Sequence, residues 1–260
     1  MKIKEVIHAL ESFAPLPLQE DYDNAGLQVG LTETEVSGAL LCLDVTEEVL
    51  REAVVRGCNL VVSHHPLLFH PLRHLSDGSL VERCVRYAVK HDLAIYAAHT
   101  NLDNAQGGVN YEMAHRLRLQ DLTFLESRSD GRGGSGLVGR LEQPMEAGAF
   151  LLNVKEEFGV SCLQHNALLT DRIISRVALC GGAGDFLLSR AVKIGADAFL
   201  TGEMHYHLYF GWQGRIQIGV LGHFQSERFT PCLLQQILCD SLPALPTMLS
   251  TIDTNPIYYM

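Results

Sequence analysis

Three polar clusters in this chain each stand directly after a short apolar run: VVSHHP at 61–66, AAHTNLD at 97–103 and GVLGHFQSE at 219–227. Each carries imidazole or carboxylate groups, or both. In the first, Pro66 pushes His65 toward an extended or turn conformation, so that the adjacent His64 and His65 can leave strict strand alternation and each serve a different ion. Taken alone, the pair reads equally as two loop histidines. In the second, Asp103 stands four residues after His99; the plainer alternative is that Asp103 or Asn104 caps a turn or the following helix. In the third, a helix beginning at about Gly222 would put His223 and Glu227 on one face as an i, i+4 pair, whether for ligation or as a solvated surface. The three clusters gain weight together. Side chains just past the carboxyl ends of parallel strands converge on one crevice. His, Asp and Glu without thiolates suit zinc, iron, manganese, cobalt or nickel. More than four such groups exceed the needs of one tetrahedral ion, and a pair of ions sharing a carboxylate fits them better.

The elements that must position these clusters alternate between strand and helix. Ala39–Leu43 reads as a buried parallel strand, followed by a helix capped at Thr46 and ended near Gly57, then a strand at Leu60–Val62. A helix over Ser79–His91, a strand over Leu93–Ala98 and a helix over Gly108–Leu117 come next. SRSDGRGGSG at 127–136 reads as a Gly- and Ser-rich loop. Beyond it the pattern gives a strand over 137–141, a helix over 147–158, a strand near 160–164 and strands at 176–179, 198–200 and 216–220. The last is followed by a helix interrupted at Pro231. The fold class expected is α/β with two lobes and mixed or parallel sheets. Residues 1–124 with 222–260 form the metal-binding lobe, and 125–221 the second.

Several features bound the function. The formal charge is −10, with no run of Lys or Arg, which weighs against nucleic-acid binding. No apolar run approaches the ~20 residues of a membrane span. MKIKEVIHALESF carries Glu5 and Glu11 in an amphipathic pattern, unlike a signal peptide, so a cytoplasmic address is expected. Seven cysteines, none in a CxxC pair, read as reduced and mostly buried. Gly181-Gly182-Ala183-Gly184 follows a strand and opens a helix, so the amides of Gly182 and Gly184 could meet a phosphate, although a tight turn explains the glycines as well. Glu203 and His207, in TGEMHYH, are candidates for contacts around the site or with substrate. Asp23 and Asn24 could orient ligands or form a turn. His70 and His74, in a Pro-rich loop, could line a pocket.

YDNAGLQVG at 22–30, SHHP at 63–66, HTNLD at 99–103, TGEMHYH at 201–207 and GHFQSE at 222–227 together resemble, in the same order and over nearly the whole chain, the dinuclear-metal proteins related to NGG-one-interacting-factor-three. Bacterial members carry the name GTP cyclohydrolase 1 type 2 homologue. The resemblance implies a two-lobed α/β fold, a toroidal hexamer, and two divalent metal ions per chain on His64, His65, Asp103, His223 and Glu227. Tyr22 stands where the family usually has Trp, and Leu221 replaces a small residue; altered packing is the expected consequence. The function expected is metal-dependent hydrolysis of a small nucleotide-like or phosphorylated substrate, with His99 or Glu203 as proton shuttle. The rival is a metal-binding adaptor or metal chaperone without turnover.

Overall fold

The computed structural model describes residues 1–258 and 260. The chain divides into two units, one formed by residues 1–105 with 229–256, the other by 106–228 with 257–260. Relative to the lobes expected from sequence, the segments 106–124, 222–228 and 257–260 belong to the second unit. His223 and Glu227 therefore lie in a different unit from His64, His65 and Asp103.

In the first unit α1 (Ile3–Phe13) precedes β1 (Gly26–Val29) and β2 (Ala39–Cys42). There follow α2 (Glu47–Val55), β3 (Leu60–Ser63), α3 (Leu80–Lys90), β4 (Ala94–Ala97) and the single turn α4 (Thr100–Asp103). Strands β2, β3 and β4 are buried along their full length, which is why they read as unbroken apolar runs. Thr46 and Ser79 cap α2 and α3, accepting from the amides of Val49 and Glu82. β1 runs antiparallel to β4 with one irregularity: Leu27 faces Tyr96 and Val29 faces Ile95, so Gln28 is an extra residue that the bulge re-aims. Gly30 closes β1 with φ +109°; a Cβ there would lie 2.6 Å from Cα of Ala94, so no larger residue fits.

The second unit starts with α5 (Val109–Arg116), β5 (Leu119–Ser127), β6 (Gly134–Glu146) and α6 (Ala147–Phe158). It continues with β7 (Gln164–His165), β8 (Ile173–Cys180), α7 (Leu188–Lys193), β9 (Ala198–Thr201), β10 (Gln217–Val220) and α8 (His223–Glu227). Its sheet has the order β5-β6-β8-β9-β10-β7, with β8, β9 and β10 parallel and the remaining pairs antiparallel. The loop expected at 127–136 is narrower than its composition suggested, because Ser127 and Gly134 already pair across a hairpin. The core is built on Phe199, Leu187, Val138 and Ile218.

The chain then returns to the first unit as α9 (Thr230–Ser241) and β11 (Thr247–Leu249). Pro231 sits in the first turn of α9 and so starts a helix instead of interrupting one. β11 completes the first sheet in the order β1-β4-β3-β2-β11, pairing in parallel with β2. Each unit therefore holds one mixed sheet. None of the described helices is long and apolar enough to cross a membrane.

Glu52 of α2 ties down the returning strand. Its carboxylate accepts from Ser250 Oγ at 2.6 Å, Thr251 N at 3.0 Å and Thr251 Oγ1 at 2.9 Å, while Arg56 joins Glu52 to the carbonyl of Leu249. Burial pushes the Glu52 carboxyl up, but these hydrogen bonds outweigh it and hold the pKa below the ordinary value of 4.5. A group depressed in the folded state stabilises above its unfolded pKa and loses that contribution as pH falls. Glu52→Gln is therefore expected to lower unfolding free energy by about 1–2 kcal/mol at pH 7. In wild type, protection of the β11 amides should weaken as pH drops below the ordinary value of 4.5. Denaturant melts of both proteins and hydrogen-exchange protection factors between pH 3 and 7 check this; equal protection factors across that range would refute it.

Candidate metal centre

Parallel pairing brings the chemistry of the first unit together. Cys42 is in register with Ser63, and Ser63 with Ala97. Two residues beyond those aligned positions come Asp44, His65 and His99, one at the end of each of three neighbouring strands. His64 precedes His65, and α4 carries Asp103 one turn past His99. The three imidazoles form a cluster, with ring centroids 4.9 Å apart for His64 and His65, 5.4 Å for His64 and His99, and 5.5 Å for His65 and His99.

Each of these rings has its Nδ1 committed. His64 Nδ1 donates to the carbonyl of Ala98 at 2.8 Å. His65 Nδ1 lies 2.7 Å from Asp44 Oδ1, and the other oxygen of Asp44 accepts from Thr254 Oγ1 at 2.6 Å. His99 Nδ1 lies 2.6 Å from Asp23 Oδ1. Burial raises the pKa of both Asp44 and Asp23, but the hydrogen bonds from His65 and His99 prevail. They hold Asp44 below its usual range and Asp23 at about 2. Both carboxylates are therefore ionised acceptors at neutral pH, and the histidines donate. In each neutral ring this leaves the lone pair on Nε2, the tautomer a metal ligand needs. His64 Nε2 points toward Asp103 Oδ1 at 3.6 Å. Asp23 also accepts from the amide and hydroxyl of Thr100, which fixes the first turn of α4.

The second unit uses the same arrangement. Cys180, Thr201 and Val220 are in register across β8, β9 and β10. Two residues further come Gly182, Glu203 and Gly222, with His223 next. His223 Nδ1 lies 3.0 Å from Glu203 Oε1, and its Nε2 lies 3.2 Å from Glu227 Oε2 one turn along α8. Glu227 is only 3% exposed. Gly182, at φ +56°, lies against it: a Cβ there would stand 2.5 Å from Glu227 Oε1. The glycine is what lets a backbone approach this carboxylate so closely.

His64, His65, His99 and Asp103 thus come together in the first unit, and His223, Glu227, Glu203 and Gly182 in the second. His64 and His65, and Glu227 in its own unit, are groups that could hold a metal ion. Glu203 lies against Nδ1 of His223, at 3.0 Å. Of the two readings of the glycines, the turn is the one the hydrogen bonds fit. Gly182 N donates to Ser226 Oγ and Gly184 N to Thr201 Oγ1, so these amides serve the turn and not an anion. His207 is exposed and packs edge-on against Tyr206 and tilted against Phe210. His70 packs against Phe69. Sequence reasoning missed Asp44, whose signal was its place just past the apolar run ALLCL, and Thr254, which had none. It also missed Asp185, which binds the amide and Nδ1 of His205.

Comparison with known proteins agrees with this geometry. The profile of the family described as Duf34/NIF3 (NGG1p interacting factor 3) matches residues 1–256. A Clostridium perfringens protein named GTP cyclohydrolase 1 type 2 homolog is 34% identical over 229 residues, covering 87% of each chain. One of the same name from Streptococcus pneumoniae is 30% identical over the full length of both. The crystal structure of a Bacillus cereus protein related to NIF3 superposes with a TM-score of 0.91 at 24% identity, covering 100% of this chain and 99% of that one. Its mixed α/β fold is the one seen here, and with both sets of ligand-type residues built on it, the chain belongs to the Duf34/NIF3 family.

Proposed function

We propose that this protein is a metal-dependent hydrolase of a small nucleotide-like or phosphorylated substrate. In this reading His64, His65 and Asp103 of the first unit and His223 and Glu227 of the second are the ligands of a dinuclear divalent-metal centre. One observation carries the metal reading. In each unit a histidine whose Nδ1 proton is already given away turns the lone pair of Nε2 toward a carboxylate oxygen, Asp103 at 3.6 Å and Glu227 at 3.2 Å. A cation shared by the nitrogen and the oxygen satisfies both, whether a bound metal ion or the proton of an imidazolium, and the convergence of imidazole and carboxylate at the parallel strand ends of each unit supports the metal. The donor set, imidazole nitrogen and carboxylate oxygen without thiolate, fits zinc, iron, manganese, cobalt or nickel.

When bound, such ions polarise a phosphoryl or carbonyl oxygen and make water a nucleophile near neutral pH. The residues of the chain then have separable tasks. Asp44, Asp23 and Glu203 hold the rings of His65, His99 and His223 in one orientation and one tautomer. His99, at the edge of the imidazole cluster, is placed to pass a proton, with Asp23 stabilising its charged form as it does so. The relatives' name supports cyclohydrolase chemistry; phosphoester hydrolysis needs the same parts. A metal-binding adaptor without turnover is the competing reading, and activity of metal-loaded protein against a nucleotide panel separates the two.

Three outcomes are expected. First, protein saturated with metal should hold two divalent ions per chain by elemental analysis; occupancy that never exceeds one contradicts the dinuclear centre. Second, Glu227→Gln should lose most of its metal, and Glu203→Gln should weaken affinity by roughly ten- to a hundredfold through loss of ligand orientation. Glu126→Gln, an exposed carboxylate of β5, should change nothing. Equal metal content in all three variants would sink the assignment. Third, we propose a closed homo-oligomer, a hexamer, as the resemblance implies; light scattering giving only a monomer of 28.7 kDa would exclude it.

A further inference from the structure

We infer that Tyr22 and Phe69 form a recognition element for a planar heteroaromatic ring, and that the ligand of the imidazole cluster is accordingly a nucleobase-bearing phosphate. This rests on the functional reading above and narrows it to a substrate class. The two rings lie side by side in the first unit, centroids 6.4 Å apart, with Tyr22 66% and Phe69 38% exposed. Phe69 stands at the edge of the candidate metal centre: its ring is 6.1 Å from that of His99 at an interplanar angle of 85°. The aromatic surface is therefore continuous with the imidazoles.

The backbone beside each ring is fixed by polar contacts. Leu68, directly before Phe69, is gripped twice through its backbone. Its carbonyl accepts from Asn24 Nδ2 at 2.6 Å, and its amide donates to Gln28 Oε1 at 3.0 Å. Gln28 Nε2 in turn donates to the carbonyl of Asn24 at 2.7 Å. Gln28 reaches Leu68 because it is the extra residue of the bulge in β1. Tyr22 precedes Asp23, whose carboxylate is fixed on His99 and Thr100. The polar residues of YDNAGLQVG therefore fix the backbone that carries two exposed rings beside His99. Fixing the backbone in this way favours binding, because less main-chain freedom is left to lose when a ring is stacked. A base stacks on such rings by its π-face, and the phosphate it carries reaches toward the imidazoles. An aliphatic phosphate would use only the second half of this arrangement.

The experiment measures binding and not turnover. Metal-loaded protein is titrated calorimetrically with guanosine 5′-monophosphate, adenosine 5′-monophosphate and ribose 5-phosphate, for wild type, Phe69→Ala, Phe69→Leu, Tyr22→Ala and Tyr22→Trp. Metal content, thermal melting and sedimentation are recorded for each. Wild type is expected to bind at least one of the two nucleotides about tenfold or more tighter than ribose 5-phosphate. Phe69→Ala and Tyr22→Ala should each remove most of that preference while leaving ribose 5-phosphate affinity and metal content unchanged. Phe69→Leu, which keeps apolar volume without a π-face, should resemble Phe69→Ala, and Tyr22→Trp should retain the preference. The inference fails if wild type binds ribose 5-phosphate as tightly as both nucleotides, or binds none of the three. It fails also if the variants bind nucleotide like wild type; a change in sedimentation alone would assign the rings to a contact between copies of the chain. Base-dependent binding without any turnover would overturn the hydrolase reading and leave this one standing. Hydrolysis of phosphoesters with no preference for a base would do the reverse.

Discussion

The constraint on which the rest depends is that an imidazole has two nitrogens and the fold must decide which one keeps the proton. In this protein that decision is made by acceptors set beside each ring: Ala98 O for His64, Asp44 for His65, Asp23 for His99 and Glu203 for His223. A ring left to rotate would spread its lone pair over several directions and both tautomers. A ring anchored at Nδ1 offers one direction, from Nε2. The sheets exist in these positions, in functional terms, to bring ring and acceptor to adjacent strand ends. Strands lie ~4.8 Å apart, so residues equally far past an aligned triple are already near hydrogen-bonding distance. Asp44, His65 and His99 in one sheet, and Gly182, Glu203 and Gly222 in the other, obey that rule without any long excursion of the chain.

The same constraint explains why small changes of sequence around the ligands would matter. Asp44 has two duties, accepting from His65 with one oxygen and from Thr254 with the other. Thr254 belongs to the C-terminal strap that Glu52 fastens through Ser250 and Thr251. The orientation of one candidate ligand is thus coupled to a segment 210 residues beyond Asp44 in sequence, through the side chains of Asp44, Thr254, Glu52, Ser250 and Thr251 in a single unit. Gly182 works differently. It contributes absence of a side chain, because any Cβ would collide with the Glu227 carboxylate. One site is supported by added contacts and the other by removed atoms, and substitution analysis would read them as opposite kinds of residue.

How much of this could be read from the sequence follows from which signals are local. The strands β2, β3, β4, β9 and β10 announce themselves as short apolar runs because they are covered on both faces. β5 does not: most of its residues are at least partly exposed, and it is held by antiparallel pairing with β6, a tertiary contact that leaves no periodic signature in β5 itself. β1 and β11 are short edge strands of intermediate burial and were invisible for the same reason. The ligand-type residues were legible because each follows an apolar run, and the i, i+4 spacing of His223 and Glu227 became a 3.2 Å contact on α8 as helical geometry requires. Their acceptors were legible only in part. Asp44 shared the strand-end position and could have been found by it, whereas Thr254 is defined by a tertiary contact alone.

The motif YDNAGLQVG shows how a string that looks like a loop can be an instrument of positioning. Read as sequence, its Asp and Asn suggest a turn and its Gly and Val a strand end. In the structure each polar residue has a target outside the motif: Asp23 on His99 and Thr100, Asn24 and Gln28 on the backbone of Leu68. Gly30 lets the strand pass directly against Ala94 of β4. The motif therefore measures the distance between two strand-end loops, one carrying His64, His65 and Phe69 and the other carrying His99 and Asp103. A change at Asn24 or Gln28 would leave every candidate ligand in the chain and still loosen the geometry between them, since Leu68 would lose a partner for one of its backbone groups. Loss of function without loss of a ligand is the signature that separates a positioning motif from a packing one.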